Sequence, residues 1–211
     1  MIVHRDARCV AVDKPAGVAT HRGWADDDDA LLQRVRDTVN AYVYPIHRLD
    51  RGASGIVLFA LDREAARAFS DAWNTADKRY LAITRGHPPE ELVVDHPIPR
   101  APGEDRVEAV TELRRLETFG RYALVEARPR TGRLHQIRRH CKHVACPLIG
   151  DVRYGKGDHN RIFRTQHDLH RLALHCTSLT VAHPDGGSLA ITCELAPDLA
   201  AAIASCRRAY A

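Results

Sequence analysis

The spacing of apolar residues changes several times along the chain, and each change predicts an element. "RCVAVDKPAG" (residues 8–17) alternates apolar and polar positions, then breaks at Pro15 and Gly17, which predicts a strand running into a loop. Leu31, Leu32, Val35 and Val39 recur at helical spacing behind an acidic run, Asp26 to Asp29, of the kind that favours a helix start. "GIVLFAL" (residues 55–61) is an unbroken apolar run and predicts a buried strand; Ala65, Ala66, Phe69, Ala72 and Trp73 then line one face of a helix. "RYLAITRG" predicts a further strand, and "AVTELRRLE" with "RYALVEA" a hairpin turning near Phe119 and Gly120. There is no internal repeat and no long linker, and Arg100 to Asp105 reads as the most flexible stretch. Residues 1–211 read as a single domain with room for two subdomains.

The helix predicted over Arg133 to Ala145, "RLHQIRRHCKHVA", carries the most information. Leu134, Ile137, Cys141 and Val144 form its apolar stripe. Arg138 lies about 40° round from Leu134, at the stripe's edge, whereas Arg139 and His143 point away. A half-buried guanidinium needs a carboxylate, so Arg138 is expected to have one, while Arg128, Arg130, Arg133, Arg139 and Lys142 form a solvated basic surface.

One carboxylate raises the complementary question. In "YPIHRLDRGASGIVLFAL" (residues 44–61), Asp50 stands between Arg48 and Arg51, against the buried strand. A charge there costs energy unless it is paired. Asp50 is either a local structural ion pair or a group held for chemistry.

Bulk properties narrow the class. Hydrophobic residues make up 45% and charged residues 27%, ordinary for a soluble globular protein. The net charge of +4 permits a nucleic-acid partner without requiring one. "MIVHRDARCVAVDKPAG" carries charges through any would-be signal core, and "IVLFAL" falls far short of a membrane span. Six cysteines without a regular framework read as reduced thiols of a cytoplasmic protein. Two stretches invite a metal, Asp26 to Asp29 and "HCKHVAC" (residues 140–146). The first reads better as a helix start; the second places Cys141 in the apolar stripe and has no second ligand cluster. No metal and no cofactor are expected.

"KPAG", "HRLD" with "SG" just after it, "RYLA", "GRLHQIRRH", "LIGDVRYG" and "RLALHCTSLTVAHP" stand in the order found in the RluA-type pseudouridine synthases, which the chain resembles from about Ala7 to Pro184. The resemblance implies an α+β pseudouridine synthase fold: a mixed, mostly antiparallel central sheet, flanking helices and a central catalytic cleft. It implies no separate amino-terminal RNA-binding module. Carried over position by position, Asp50 corresponds to the catalytic aspartate, Tyr80 to the tyrosine that stacks on the target base, and Arg138 to the arginine paired with the aspartate. Arg48 resembles an RNA-contacting arginine. One departure is Ala53, where the family usually has a threonine that could brace the loop.

The implied reaction breaks the uridine N1–C1′ bond, turns the base and rejoins it through C5. It is redox-neutral and needs no group donor. The anomeric carbon gains positive character, so a carboxylate can attack or stabilise it, or remove a sugar proton instead; the sequence leaves both routes open. A flipped-out base loses its stacking, which Tyr80 can replace. His135 is expected to bond either backbone or an RNA phosphate, and Lys14 to be a loop or RNA-facing charge. Arg133 and Arg139 join the RNA-contacting set.

"GKGDHNRIFR" (residues 156–164 with Gly155) resembles an insertion in a branch of the family that modifies uridine 65 of certain tRNAs, near the acceptor-stem end of the T arm. Arg161 and Arg164 there bracket Ile162 and Phe163, a mix suited to RNA contact or to a packed surface loop. The expected partner is thus RNA, in particular tRNA, met by a monomer without membrane attachment. A ribosomal-RNA synthase of the same family and a non-catalytic RNA-binding or folding factor are the alternatives. A glycosidase-like hydrolase lacks a well-placed second carboxylate.

Overall fold

The computed structural model describes residues 1–21, 30–100 and 103–210. The acidic run Asp26 to Asp29, expected to start a helix, lies outside the described residues, as does part of the Arg100 to Asp105 stretch. In chain order the elements are β1 (Ile2–Arg5), β2 (Cys9–Lys14), α1 (Leu31–Val39), β3 (Tyr44–Pro45), β4 (Ser54–Ala60), α2 (Arg63–Ala72) and β5 (Asp77–Arg85). Then follow β6 (Glu91–Asp95), β7 (Ile98–Pro99), β8 (Arg106–Val107), β9 (Val110–Phe119), β10 (Tyr122–Pro129), α3 (Gln136–His143) and α4 (Gly157–Gln166). β11 (Leu174–Ala182), β12 (Ser188–Thr192) and α5 (Pro197–Ala209) complete the chain. It divides into two compact units, the first comprising Met1–Lys78 with Cys176–Glu194, the second Arg79–His175 with Leu195–Ala211.

In the first unit the strand order is β1-β2-β4-β11, with β3 on β4 and β12 on β11. β2 was expected to alternate, yet Cys9, Val10, Ala11 and Val12 are all fully buried. It lies between β1 and β4, antiparallel to both, and a strand covered on both faces needs apolar residues on both. β4 is buried throughout, as its unbroken apolar run demands. α1 begins at Leu31 and buries Leu31, Val35 and Val39; it ends where Asn40 turns left-handed (φ 52°). α2 starts where the Asp62 carboxylate accepts the Ala65 amide at 2.8 Å, and it buries Ala65 and Phe69.

The second unit is built on β5-β10-β9-β6. Its hairpin turns between Phe119 and Tyr122, which pair directly, and Gly120 supplies the positive φ of 54°. Phe119, Tyr122, Leu124 and Ile83 pack with Phe163 of α4 and Leu199 and Ile203 of α5. Every strand register described is antiparallel, and with five α-helices among the described residues the class is α+β. No helix among the described residues is long and apolar enough to cross a membrane.

The predicted helix over Arg133 to Ala145 is shorter than its pattern. His135 is left-handed (φ 55°), which a continuing helix cannot accept, so α3 begins at Gln136 and Leu134 is left 46% exposed. Gln136 then fastens the start: its carbonyl oxygen accepts from the Thr131 hydroxyl (2.7 Å) and the Arg133 amide (3.0 Å), and its amide donates to the Val110 carbonyl (2.8 Å). Burying that fully bonded amide displaces Leu134 from the stripe.

Candidate active site

Asp50 sits on a tight turn, its carbonyl accepting the Ala53 amide at 3.0 Å. The turn is stitched to the "DKPAG" loop. Lys14 is fully buried, and its ammonium donates to the carbonyls of Pro15 (2.9 Å), Val18 (2.8 Å) and Arg51 (3.3 Å). Of the two roles expected, loop charge or RNA-facing charge, it takes the first, as a cross-link between loops. The Arg51 guanidinium returns a bond to the Gly17 carbonyl (2.8 Å), and the Thr20 hydroxyl and Leu49 backbone bond each other. Ala53, in place of a threonine, is 1% exposed. Arg48 is exposed.

His47 anchors the same turn from below. Its Nε2 accepts the Leu58 amide at 3.1 Å, a role only a neutral ring can fill. Its ring stacks on Trp73 at 4.6 Å, and the Lys78 ammonium lies 5.2 Å from that indole. Burial, with Lys78 nearby, pushes His47 down to about 3. Gly55, in "SG", takes φ 108°, and a Cβ there would meet the Cys176 carbonyl oxygen at 2.2 Å. The glycine of this motif thus lets β4 and β11 close up behind the Asp50 turn.

In the second unit Tyr80 lies on β5 opposite Ala127 and is 8% exposed. Arg138, 9% exposed, has the carboxylate that its half-buried position called for, and within its unit that carboxylate is Asp151 of "LIGDVRYG". Arg138 Nε donates to Asp151 Oδ2 at 2.7 Å and Nη2 to Oδ1 at 2.9 Å, a bidentate clamp. Asp151 Oδ1 also accepts the amides of Arg153 and Tyr154, both at 2.9 Å. Burial by itself would raise this carboxyl; the Arg138 hydrogen bonds and those amides more than offset it and hold it below the usual carboxylate value. Nothing local in the sequence marks Asp151 as this partner, because only the fold brings residue 151 to residue 138.

The basic residues divide. Arg161 and Arg164 lie on the exposed face of α4, Arg161 pairing with Asp158 at 3.1 Å, while Phe163 is fully buried. Arg133 is exposed, with Nε on the Glu108 carbonyl (2.9 Å). Arg139, expected to point outward, is half-buried and donates to the Pro99 carbonyl at 3.0 Å. Arg128 and Arg130 share Glu112, at 3.6 and 2.6 Å, so the basic surface is weaker there than the residue count suggests. His135 bonds the Tyr154 hydroxyl at 3.2 Å, and the guanidiniums of Arg138 and Arg153 and the ammonium of Lys142 lie 5.1, 5.5 and 5.8 Å from the Tyr154 ring. In "HCKHVAC", His140 is fully buried and bonds the Thr111 hydroxyl (2.9 Å) and the His96 carbonyl (3.0 Å), so both its nitrogens serve the scaffold.

Along the chain stand, in order, an aspartate on a braced turn, a tyrosine on a sheet strand and a buried arginine–carboxylate clamp. The chain belongs to the RNA pseudouridylate synthase family, enzymes that isomerise uridine in RNA; the family's pattern matches residues 8–143, which include Asp50, Tyr80 and Arg138. It is 38% identical over 208 residues to the tRNA pseudouridine synthase C of Vibrio parahaemolyticus, covering 87% of this chain and 85% of that one. It is 37% identical over 211 residues to the enzyme of the same name from Salmonella typhimurium, covering 88% and 81%. Among solved structures, human RNA pseudouridylate synthase domain containing 4 superposes with a TM-score of 0.80 at 26% identity, covering 98% of this chain and 92% of that one.

Proposed function

We propose that the protein converts uridine to pseudouridine in tRNA, at uridine 65 beside the acceptor stem, acting in the cytoplasm as a monomer without metal or cofactor in the chemical step. The observation that carries the substrate is its 38% identity, across 87% of its length, to a relative named tRNA pseudouridine synthase C. In this reading Asp50 is the catalytic carboxylate, meeting the anomeric carbon or a sugar proton as N1–C1′ breaks. Tyr80 stacks on the flipped base, recovering about 1–3 kcal/mol. Arg138 is the cation that partners the catalytic carboxylate, and its clamp by Asp151 fixes where its charge lies. Arg48, Arg133, His135, Arg139, Arg161 and Arg164 contact RNA, with exposed Arg48, Arg133 and Arg164 the strongest phosphate contacts. A duplex stem offers phosphates and 2′-hydroxyls until a base flips, so affinity falls steeply with salt.

The test is site-resolved pseudouridine mapping. Purified protein is given total tRNA and ribosomal RNA from a strain lacking the gene. Modification of one T-arm uridine is expected. Efficient modification of ribosomal RNA with tRNA untouched would remove the substrate proposal and leave family membership intact.

A further inference from the structure

At the end of β2 opposite Lys14, the first unit gathers three side chains of kinds that can ligate a metal. His4 Nε2 lies 2.7 Å from Asp6 Oδ2, and the Cys9 Sγ lies 3.4 Å from that same oxygen. All three donor atoms fall within 4.8 Å of one another. Their spacing, His-x-Asp-x-x-Cys, follows from the hairpin of β1 and β2. The register slips between Ile2 and His4, an irregularity of the kind that re-aims a side chain, and His4 meets the loop that carries Asp6. The other Asp6 oxygen is fixed by the amides of Arg8 (2.7 Å) and Cys9 (2.8 Å), which leaves Oδ2 turned to the cluster.

A fourth group supplies an independent observation. His183, at the end of β11, places its Nε2 3.3 Å from Asp6 Oδ2, yet that buried atom makes no hydrogen bond. Its Nδ1 accepts the Asp185 amide at 3.2 Å, so in the neutral ring the hydrogen sits on Nε2. An orphaned donor beside three ligand atoms calls for an acceptor at the centre, such as an oxygen held there by an ion.

We propose that His4, Asp6 and Cys9 bind a divalent transition metal, zinc by its borderline softness, with a water oxygen in the fourth position accepting from His183. Nitrogen, oxygen and sulfur in one three-residue set suit zinc and exclude magnesium and calcium, which take oxygen. The charges close: one carboxylate and one thiolate neutralise the dication. On binding, the Cys9 thiol releases its proton to solvent, and the hydrogen between His4 Nε2 and Asp6 moves through solvent to His4 Nδ1, so that His4 binds as a neutral imidazole and one proton is released in all. The ion would tie the amino-terminal hairpin to the β11–β12 turn, a structural role separate from the uridine chemistry.

Metal-free full-length protein titrated with Co2+ provides the test, read as the near-ultraviolet thiolate-to-cobalt charge-transfer band. One equivalent is expected to develop the band, and Zn2+ to abolish it by displacement. Zinc well above its Kd should raise Tm by roughly 5 °C. Cys9→Ser and His4→Ala should each lose the band; His4 is partly exposed, so its variant stays folded even where Cys9→Ser does not. Cys193, a half-buried thiol outside this cluster, is the control, and Cys193→Ser should keep the band. No band in the wild type, or a band that His4→Ala retains and Cys193→Ser loses, overturns the proposal.

Discussion

The two units hold their key residues by opposite means. The Asp50 turn is fixed through what surrounds it: a buried lysine capping three carbonyls, a neutral histidine accepting a strand amide, and a glycine that lets a strand close in. Arg138 is fixed by its own charge, clamped on a buried carboxylate. A scaffold made of neighbouring groups tolerates loss of the side chain it displays. A scaffold made of the displayed charge itself does not, because removing either partner strands the other in a low dielectric.

The sharpest way to break this contrast is at Asp50. Asp50→Ala is expected to lower single-turnover isomerisation of tRNA by roughly 10⁴-fold or more, with unfolding in urea shifted by less than about 1 kcal/mol. Asp50→Asn should behave alike until deamidation restores aspartate. Near wild-type turnover would end the catalytic assignment; a large stability loss would show that Asp50 is scaffold.

At Asp151 the expectation reverses. Asp151→Ala should cost about 3–5 kcal/mol in denaturant unfolding, and Asp151→Leu combined with Arg138→Met should recover much of it, because no charge is then left buried alone. Additive losses in the double variant would mean that the pair is not energetically coupled.

Lys14→Met leaves three carbonyls short of a donor and should destabilise by about 1–3 kcal/mol. RNA affinity at fixed salt should be unchanged in the folded fraction. A reduced salt slope of binding would return Lys14 to the phosphate-contacting set.

A pH titration separates the regions further. His47 is held down to about 3 in the folded protein against 6.5 for a free histidine. Between those values the unfolded chain takes a proton that the folded one refuses, so stability falls as pH drops, by up to about 1.4 kcal/mol per unit. Asp151 is depressed below 3.8, so its contribution is present above that value and is lost only as pH falls further, through its folded value. His47→Gln should flatten the acid limb above pH 3.8, and Asp151→Asn the limb below it. Urea midpoints across this range read both, and a His47→Gln curve parallel to wild type would show that the ring is not held neutral.

Much of the secondary structure follows from periodicity alone. The β9–β10 hairpin, the buried β4 and the α2 face at Ala65 and Phe69 form because short-range alternation and helical spacing decide which face meets a core. The ordered motifs likewise mark Asp50, Tyr80 and Arg138 without any coordinates, since each motif is local in the chain. The helix start at Gln136 is not local in that sense: the left-handed His135 and the reach of Gln136 to Val110 cross 26 residues of sequence. The same holds for Lys14 on Arg51, for Arg138 on Asp151, and for His183 beside His4, Asp6 and Cys9. A sequence states that a buried charge must have a partner, because desolvation is too costly otherwise. Which partner it has is decided by the strand pairings and turns that bring distant residues to within hydrogen-bond reach.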